Sequence, residues 1–134
     1  MKKMLVLIPV AAMLFAFSYV GGPWIAPTSA KKIKNPVPSN KRASSAKAGK
    51  KIFAGRCVAC HGKSGKGDGA ASKALNPKPA NLTSAKVQKQ TDGEIFWKMT
   101  NGNTKNSAMP SWKASIPAAD RWKLVNYIRS IKAK

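Results

Sequence analysis

Residues 57–61 read Cys57-Val58-Ala59-Cys60-His61, and they contain both cysteines and the single histidine of a 134-residue chain. Few structures can use that cluster. A disulfide across two intervening residues closes so small a loop that it restrains the unfolded chain little. A zinc site needs more ligands than one histidine and two thiols supply. A thioredoxin-like redox motif needs a strand–helix pattern around it, which the flanking sequence lacks.

Cys-x-x-Cys-His as a unit reads as the attachment site of a c-type haem. Two thiols must reach two vinyl groups on one edge of the porphyrin, and two intervening residues place them about one helical turn apart. The histidine after the second cysteine is then held beneath the ring as the proximal iron ligand. Cys57 and Cys60 are therefore expected as thioethers to one covalently bound haem c per chain, and His61 as an iron ligand.

The rest of the chain is organised around this motif. Met1-Lys2-Lys3 is followed by an uncharged apolar run from Met4 to Val20, then Gly21-Gly22-Pro23, and Thr28-Ser29-Ala30 offers small residues before Lys31. Residues 1–30 read as a secretory signal cut after Ala30, or as an uncleaved membrane anchor, because the run is intermediate in length. Both readings place the rest of the chain in the periplasm or on the outer face of the cytoplasmic membrane. Residues 31–45 are rich in Lys and Pro and poor in apolar side chains, so a flexible or extended linker is expected. Residues 46–134 remain as one domain of about 90 residues, whose thin core needs a cofactor or staple.

Charge is strongly one-sided. The chain has 25 Lys and Arg against 4 Asp and Glu, and removing Lys2 and Lys3 with the leader lowers the formal charge from +21 to +19. Such a surface keeps a protein soluble and attracts acidic partners or an anionic membrane surface. Nucleic acid is not expected as a partner, since only four of the basic residues are Arg, no binding motif is present, and the chain is exported.

Helical patterns flank the motif. Ala46–Ala54 places Gly49 and Phe53 four apart on one face. Leu124, Tyr127, Ile128 and Ile131 repeat at helical spacing behind Pro117, which is suited to open a helix. A glycine on one helix facing an aromatic on the other lets two backbones approach closely. Thr91 and Glu94 form a capping-box pattern before a third helix carrying Ile95 and Met99.

With these parts together, the sequence resembles the small class I cytochrome c family from about Ala46 to Ile131. The resemblance rests on Gly49 and Phe53, on Cys57–Gly62, and on the loop Gly65-Lys66-Gly67-Asp68-Gly69. It continues through Asn76-Pro77-Lys78-Pro79-Ala80-Asn81-Leu82, Ala108-Met109-Pro110 and Trp122–Arg129. It implies an all-α class I cytochrome c fold, three to five helices wrapped around one haem, with the first and last helices crossing. Ala70 and Asn81 depart from residues frequent in the family, and neither bears on the iron.

One histidine rules out bis-histidine ligation within the chain, and methionine sulfur suits a high-potential haem. Behind the leader stand only Met99 and Met109. Met99 falls on the buried face of its helix, whereas Met109 lies in an irregular stretch bounded by Gly102 and Pro110, which is also the axial position in the resemblance. Met109 is the favoured distal ligand; Met99, a lysine or no sixth ligand are the alternatives. The Pro77–Pro79 stretch, Pro79 by resemblance, is expected to offer a carbonyl to the other nitrogen of His61. Trp97 and Trp112 either line the pocket and bond a propionate, or pack as ordinary core.

Iron held by His61 and Met109 has no open position, which leaves outer-sphere electron transfer. No carboxylate pair, nucleophile–base pair or phosphate loop suggests an enzyme. The expected function is a monomeric one-electron carrier between acidic donor and acceptor proteins. A haem subunit of a respiratory or dehydrogenase complex is the alternative, with a five-coordinate gas-binding or peroxidase-type protein behind it. Lys63, Lys66 and Lys78 lie in loops that the resemblance places around the haem edge, and Lys105 and Lys113 flank the Met109 loop.

Overall fold

A computed structural model of the protein describes residues 23–104 and 108–133. The apolar run Met4–Val20 and Lys105 lie outside these residues. Six α-helical segments occur among them: α1 (Thr28–Lys31), α2 (Arg42–Arg56), α3 (Val58–His61), α4 (Ala85–Gln88), α5 (Asp92–Asn101) and α6 (Ala118–Ser130). No strand occurs among the described residues. The fold is all-α, as expected; α1, α3 and α4 are four residues each, one turn apiece, which is why the count exceeds five.

The first and last long helices cross at Gly49. A β-carbon on Gly49 would stand 2.1 Å from the Lys123 carbonyl oxygen and 3.0 Å from Cβ of Tyr127. Only a residue without a side chain lets α2 lie on α6 at this distance. One turn on, the rings of Phe53 and Tyr127 pack at 5.0 Å between centroids. α2 is Ala- and Lys-rich and buries only Ala46, Gly49 and Phe53, spaced three and four apart. A helix with so little apolar surface owes its stability to this contact more than to propensity.

α6 is covered on several sides and buries Arg121, Trp122, Leu124, Val125, Asn126, Tyr127 and Ile128. Pro117 precedes it, and the Pro117 carbonyl accepts from the Asp120 and Arg121 amides at 3.0 Å each. Lys123 pairs with Asp120 one turn earlier at 2.7 Å. α5 opens with the expected capping box: the Thr91 amide donates to Glu94 Oε2 at 2.7 Å, and the Glu94 amide to Thr91 Oγ1 at 3.2 Å. It packs on α6 through a parallel stack of Phe96 and Trp122, 4.1 Å between centroids.

Residues 31–45 differ from the expected free linker. They are extended over part of their length but are bound to the domain, and the segment before them is bound as well. Ala26 is 4% exposed and Ala30 fully buried. A β-carbon on Gly93 in α5 would meet the Ala30 carbonyl oxygen at 2.1 Å and that of Ile33 at 2.6 Å. Asn35 Nδ2 donates to Asp92 Oδ2 and to Asn126 Oδ1, both at 2.9 Å. Asn126 Nδ2 in turn donates to Ser45 Oγ at 2.9 Å. Asp92 also takes Arg129 Nε at 2.7 Å and lies 3.8 Å from Arg42. The segment cannot fold alone for want of apolar side chains; it is held instead by amide and carboxylate groups that the helices present to it.

Candidate haem site

The α2 helix continues, with a kink, into the motif. The Cys57 amide donates to the Phe53 carbonyl at 2.9 Å, and the His61 amide to the Cys57 carbonyl at 2.8 Å. Cys57, Cys60 and His61 are thus carried by one helical turn, as the spacing required. Both cysteines are unpaired and half-buried, so the disulfide alternative has no support. Burial, helped by the neighbouring Cys60, pushes the Cys57 thiol up to about 11. The His61 ring packs near Phe53, 6.5 Å between centroids.

Gly62 ends this turn at φ +75°, and a β-carbon there would strike Asp68 Oδ1 at 1.9 Å. The glycine loop then wraps back over the carbonyl end of α3. The Gly67 amide donates to the His61 carbonyl at 2.8 Å, and the Gly69 amide to that of Cys60 at 3.1 Å. These bonds satisfy carbonyls that a one-turn helix would otherwise leave open.

His61 Nδ1 lies 3.1 Å from the carbonyl oxygen of Ala80. This corrects the expectation for Pro79, one residue earlier. The Pro79 carbonyl oxygen is turned to the backbone of Gly67, 2.3 Å from where a β-carbon would sit. Burial lowers the His61 pKa, opposed by the Ala80 carbonyl. A neutral imidazole that donates from Nδ1 keeps its lone pair on Nε2, the atom a proximal iron ligand uses. Two free thiols and an oriented imidazole on one turn form a donor set that fits covalent haem c.

Met109 is half-buried, in a segment folded back on the end of α5. Its carbonyl accepts from the Asn103 amide at 2.8 Å, and the Trp112 amide donates to the Met99 carbonyl at 3.1 Å. Ser111 Oγ donates to the Thr100 carbonyl at 2.7 Å. Gly102 makes the return possible: its φ is +67°, and a β-carbon would lie 2.5–2.8 Å from backbone atoms of Met109, Pro110 and Ser111. Met99, by contrast, is 7% exposed within the apolar core with Phe53, Ile95 and Leu124. Trp112 packs against that core. Trp97 is half-buried on α5, where its carbonyl accepts from Asn101 Nδ2 at 2.8 Å.

Two site residues were not anticipated. Ala80 acts through its backbone, which no side-chain pattern announces. Arg121 is buried beneath the Met109–Ile116 segment; its place three and four residues before Leu124 and Val125, on their face of the helix, was the available signal.

A family model described as Cytochrome c matches residues 46–132. The chain belongs to the cytochrome c family. As a cytochrome c it carries covalently bound haem c, and Cys57 and Cys60 fit the attachment motif. Its structure is similar to a chain of the Kuenenia stuttgartiensis reducing HAO-like protein complex Kustc0457/Kustc0458, with a TM-score of 0.63 and 25% identity over 75% of the present chain. The present chain spans half of that one, 50%. The KustC0563 c-type cytochrome shares the fold at a TM-score of 0.55 and 23% identity, covering 63% of this cytochrome and 98% of the other. No curated protein matches the sequence significantly.

Proposed function

We propose that this cytochrome is an exported one-electron carrier with His61 and Met109 as axial ligands, exchanging electrons with acidic partner proteins. Bound haem supplies the reversible one-electron couple. The chain attaches it through Cys57 and Cys60 and orients His61 through Ala80. The observation that carries the reading is the contrast between the two methionines. Met109 is half-buried on a backbone pinned by Asn103, while the Met99 side chain is buried in the apolar core. Loss of the weak red absorption band of ferric Fe–S(Met) in Met109→Ala, with its retention in Met99→Ala, is the expected result. The reverse pattern would reassign the ligand.

A second reading, a haem subunit of a larger assembly, is favoured by the likeness to a chain of a reducing HAO-like protein complex. Gentle extraction of the native membrane followed by size-exclusion chromatography separates the two. A carrier elutes as a small monomer, a subunit with its partners.

A further inference from the structure

Arg121 is 6% exposed, and no ion pair forms at it among the described residues. Its Nη1 donates to the carbonyls of Trp112 at 3.4 Å, Lys113 at 3.2 Å and Ile116 at a shorter distance. Its Nε is buried without a partner. The guanidinium carbon lies 5.2 Å from the Phe96 ring centroid, and Phe96 is itself fixed by its stack on Trp122. Burying a charge without a carboxylate carries a large desolvation penalty even after relaxation. The compensation visible here is a cation–π contact and carbonyl bonds, and all three carbonyls belong to residues 112–116.

That segment begins two residues after Met109-Pro110. The upstream half, residues 109–112, is fastened to the end of α5 through Asn103, Thr100 and Met99. The downstream half is hydrogen-bonded to α6 through the Arg121 side chain, and Ile116 at its end is buried in the core. Met109 therefore sits in a strip held at both ends. We infer that Arg121 is a positioning residue for the axial methionine: it fixes the downstream end of the strip, so that Met109 remains the sixth ligand against competing donors. The inference rests on the reading of Met109 as ligand. Arginine suits the task because a planar guanidinium can lie on a ring while its N–H groups reach several carbonyls at its edge. Lysine, a single ammonium on a flexible stem, cannot do both.

The test uses the ferric holoprotein at fixed neutral pH, titrated with imidazole, which displaces a methionine ligand. Arg121→Lys and Arg121→Met should raise the apparent imidazole affinity about tenfold or more, corresponding to about 1.4 kcal/mol. The helical circular dichroism should stay intact at the same temperature. Phe96→Leu, which removes the platform under the guanidinium, should shift affinity in the same direction by less, and gives a second route if an Arg121 variant folds poorly. Imidazole affinity unchanged in folded Arg121→Lys and Phe96→Leu would overturn the inference. So would affinity that rises only where the helices have melted, since that is a purely structural role. An Fe–S(Met) band that survives Met109→Ala would identify a different failure, that of the ligand reading itself.

Discussion

The carbonyl oxygen of Ala30 lies 2.1 Å from the position a β-carbon on Gly93 would take. Backbone therefore rests directly on the first turn of α5, and α1 has no flexible side chain there that could give way. Gly93→Ala should push α1 and the extended segment after it off the helix. Overpacking of this kind costs about 1–3 kcal/mol, more than the ~1 kcal/mol that alanine gains in helix propensity. Thermal melts should show the loss, and trypsin should cut faster after Lys31, Lys32 and Lys34. Unchanged melting and cleavage would mean that the segment is not docked.

The same contact bears on processing. A cut after Ala30 would remove the buried Ala26 and Ala30 and leave Ile33 alone against Gly93. The chain isolated from its native membrane is therefore expected to retain residues upstream of Ala30, read from the intact mass after allowing for one haem. A native N-terminus at Lys31 would restore the ordinary signal-peptide reading.

Gly49→Ala should separate α2 from α6. The obstruction is the Lys123 carbonyl, a backbone atom in mid-helix. The expected cost is again about 1–3 kcal/mol, read from the denaturation midpoint at unchanged slope. Gly55→Ala is the control, since a β-carbon there meets nothing within 4 Å; in the last turn of α2 it should be neutral or stabilising.

Asp92 makes stability depend on acid. Burial alone would raise its pKa, but hydrogen bonds from Asn35 and Arg129 and the charges of Arg129 and Arg42 bring it below the ordinary 3.8. A carboxylate depressed in the folded state adds stability above its unfolded pKa and loses it as pH falls through the folded value. The stability difference between the wild type and Asp92→Asn should be constant above about pH 5 and shrink as pH drops through and below the unfolded value. A difference that persists undiminished at the acid end would remove Asp92 from the account.

Lys63, Lys66, Lys78 and Lys113 are all exposed. Steering by such charges raises association rates by about 10 to 10³-fold and fades as salt shortens the Debye length below about 10 Å. Electron transfer to a partner protein should slow with salt, and Lys66→Glu should slow it further. Lys41→Glu is the distal control: Lys41 precedes the 15-residue α2 and Cys57 follows it, ~22 Å along the helix. Equal effects at both positions, in stopped-flow runs with a neutral small reductant as reference, would remove the haem edge as docking face.

What the sequence made legible was local. Cys57, Cys60 and His61 act within one turn, the Thr91–Glu94 box spans four residues, and the Gly49 and Phe53 stripe is a matter of helical period. What escaped depends on distant pairs. Asn35 looks like a linker residue until Asp92 and Asn126, 57 and 91 positions away, are brought to its amide. Ala80 in place of Pro79 is a rotation of one peptide unit, set by the approach of Gly67, and composition does not encode it. Arg121 reads as one more surface charge unless its position on the buried face of α6 is weighed above its polarity.

Three of the chain's four side-chain carboxylates are engaged inside their own fold. Asp92 serves Arg129 and Arg42, Asp120 serves Lys123, and Glu94 closes a helix cap, while Asp68 is exposed in the glycine loop. Two copies that meet therefore bring cation against cation, with no acidic patch on either to soften the approach. For the proposed carrier, self-exchange between identical molecules should be slow under that repulsion and should quicken as salt screens it. An electron on such a carrier would then leave to an oppositely charged surface sooner than to a second copy.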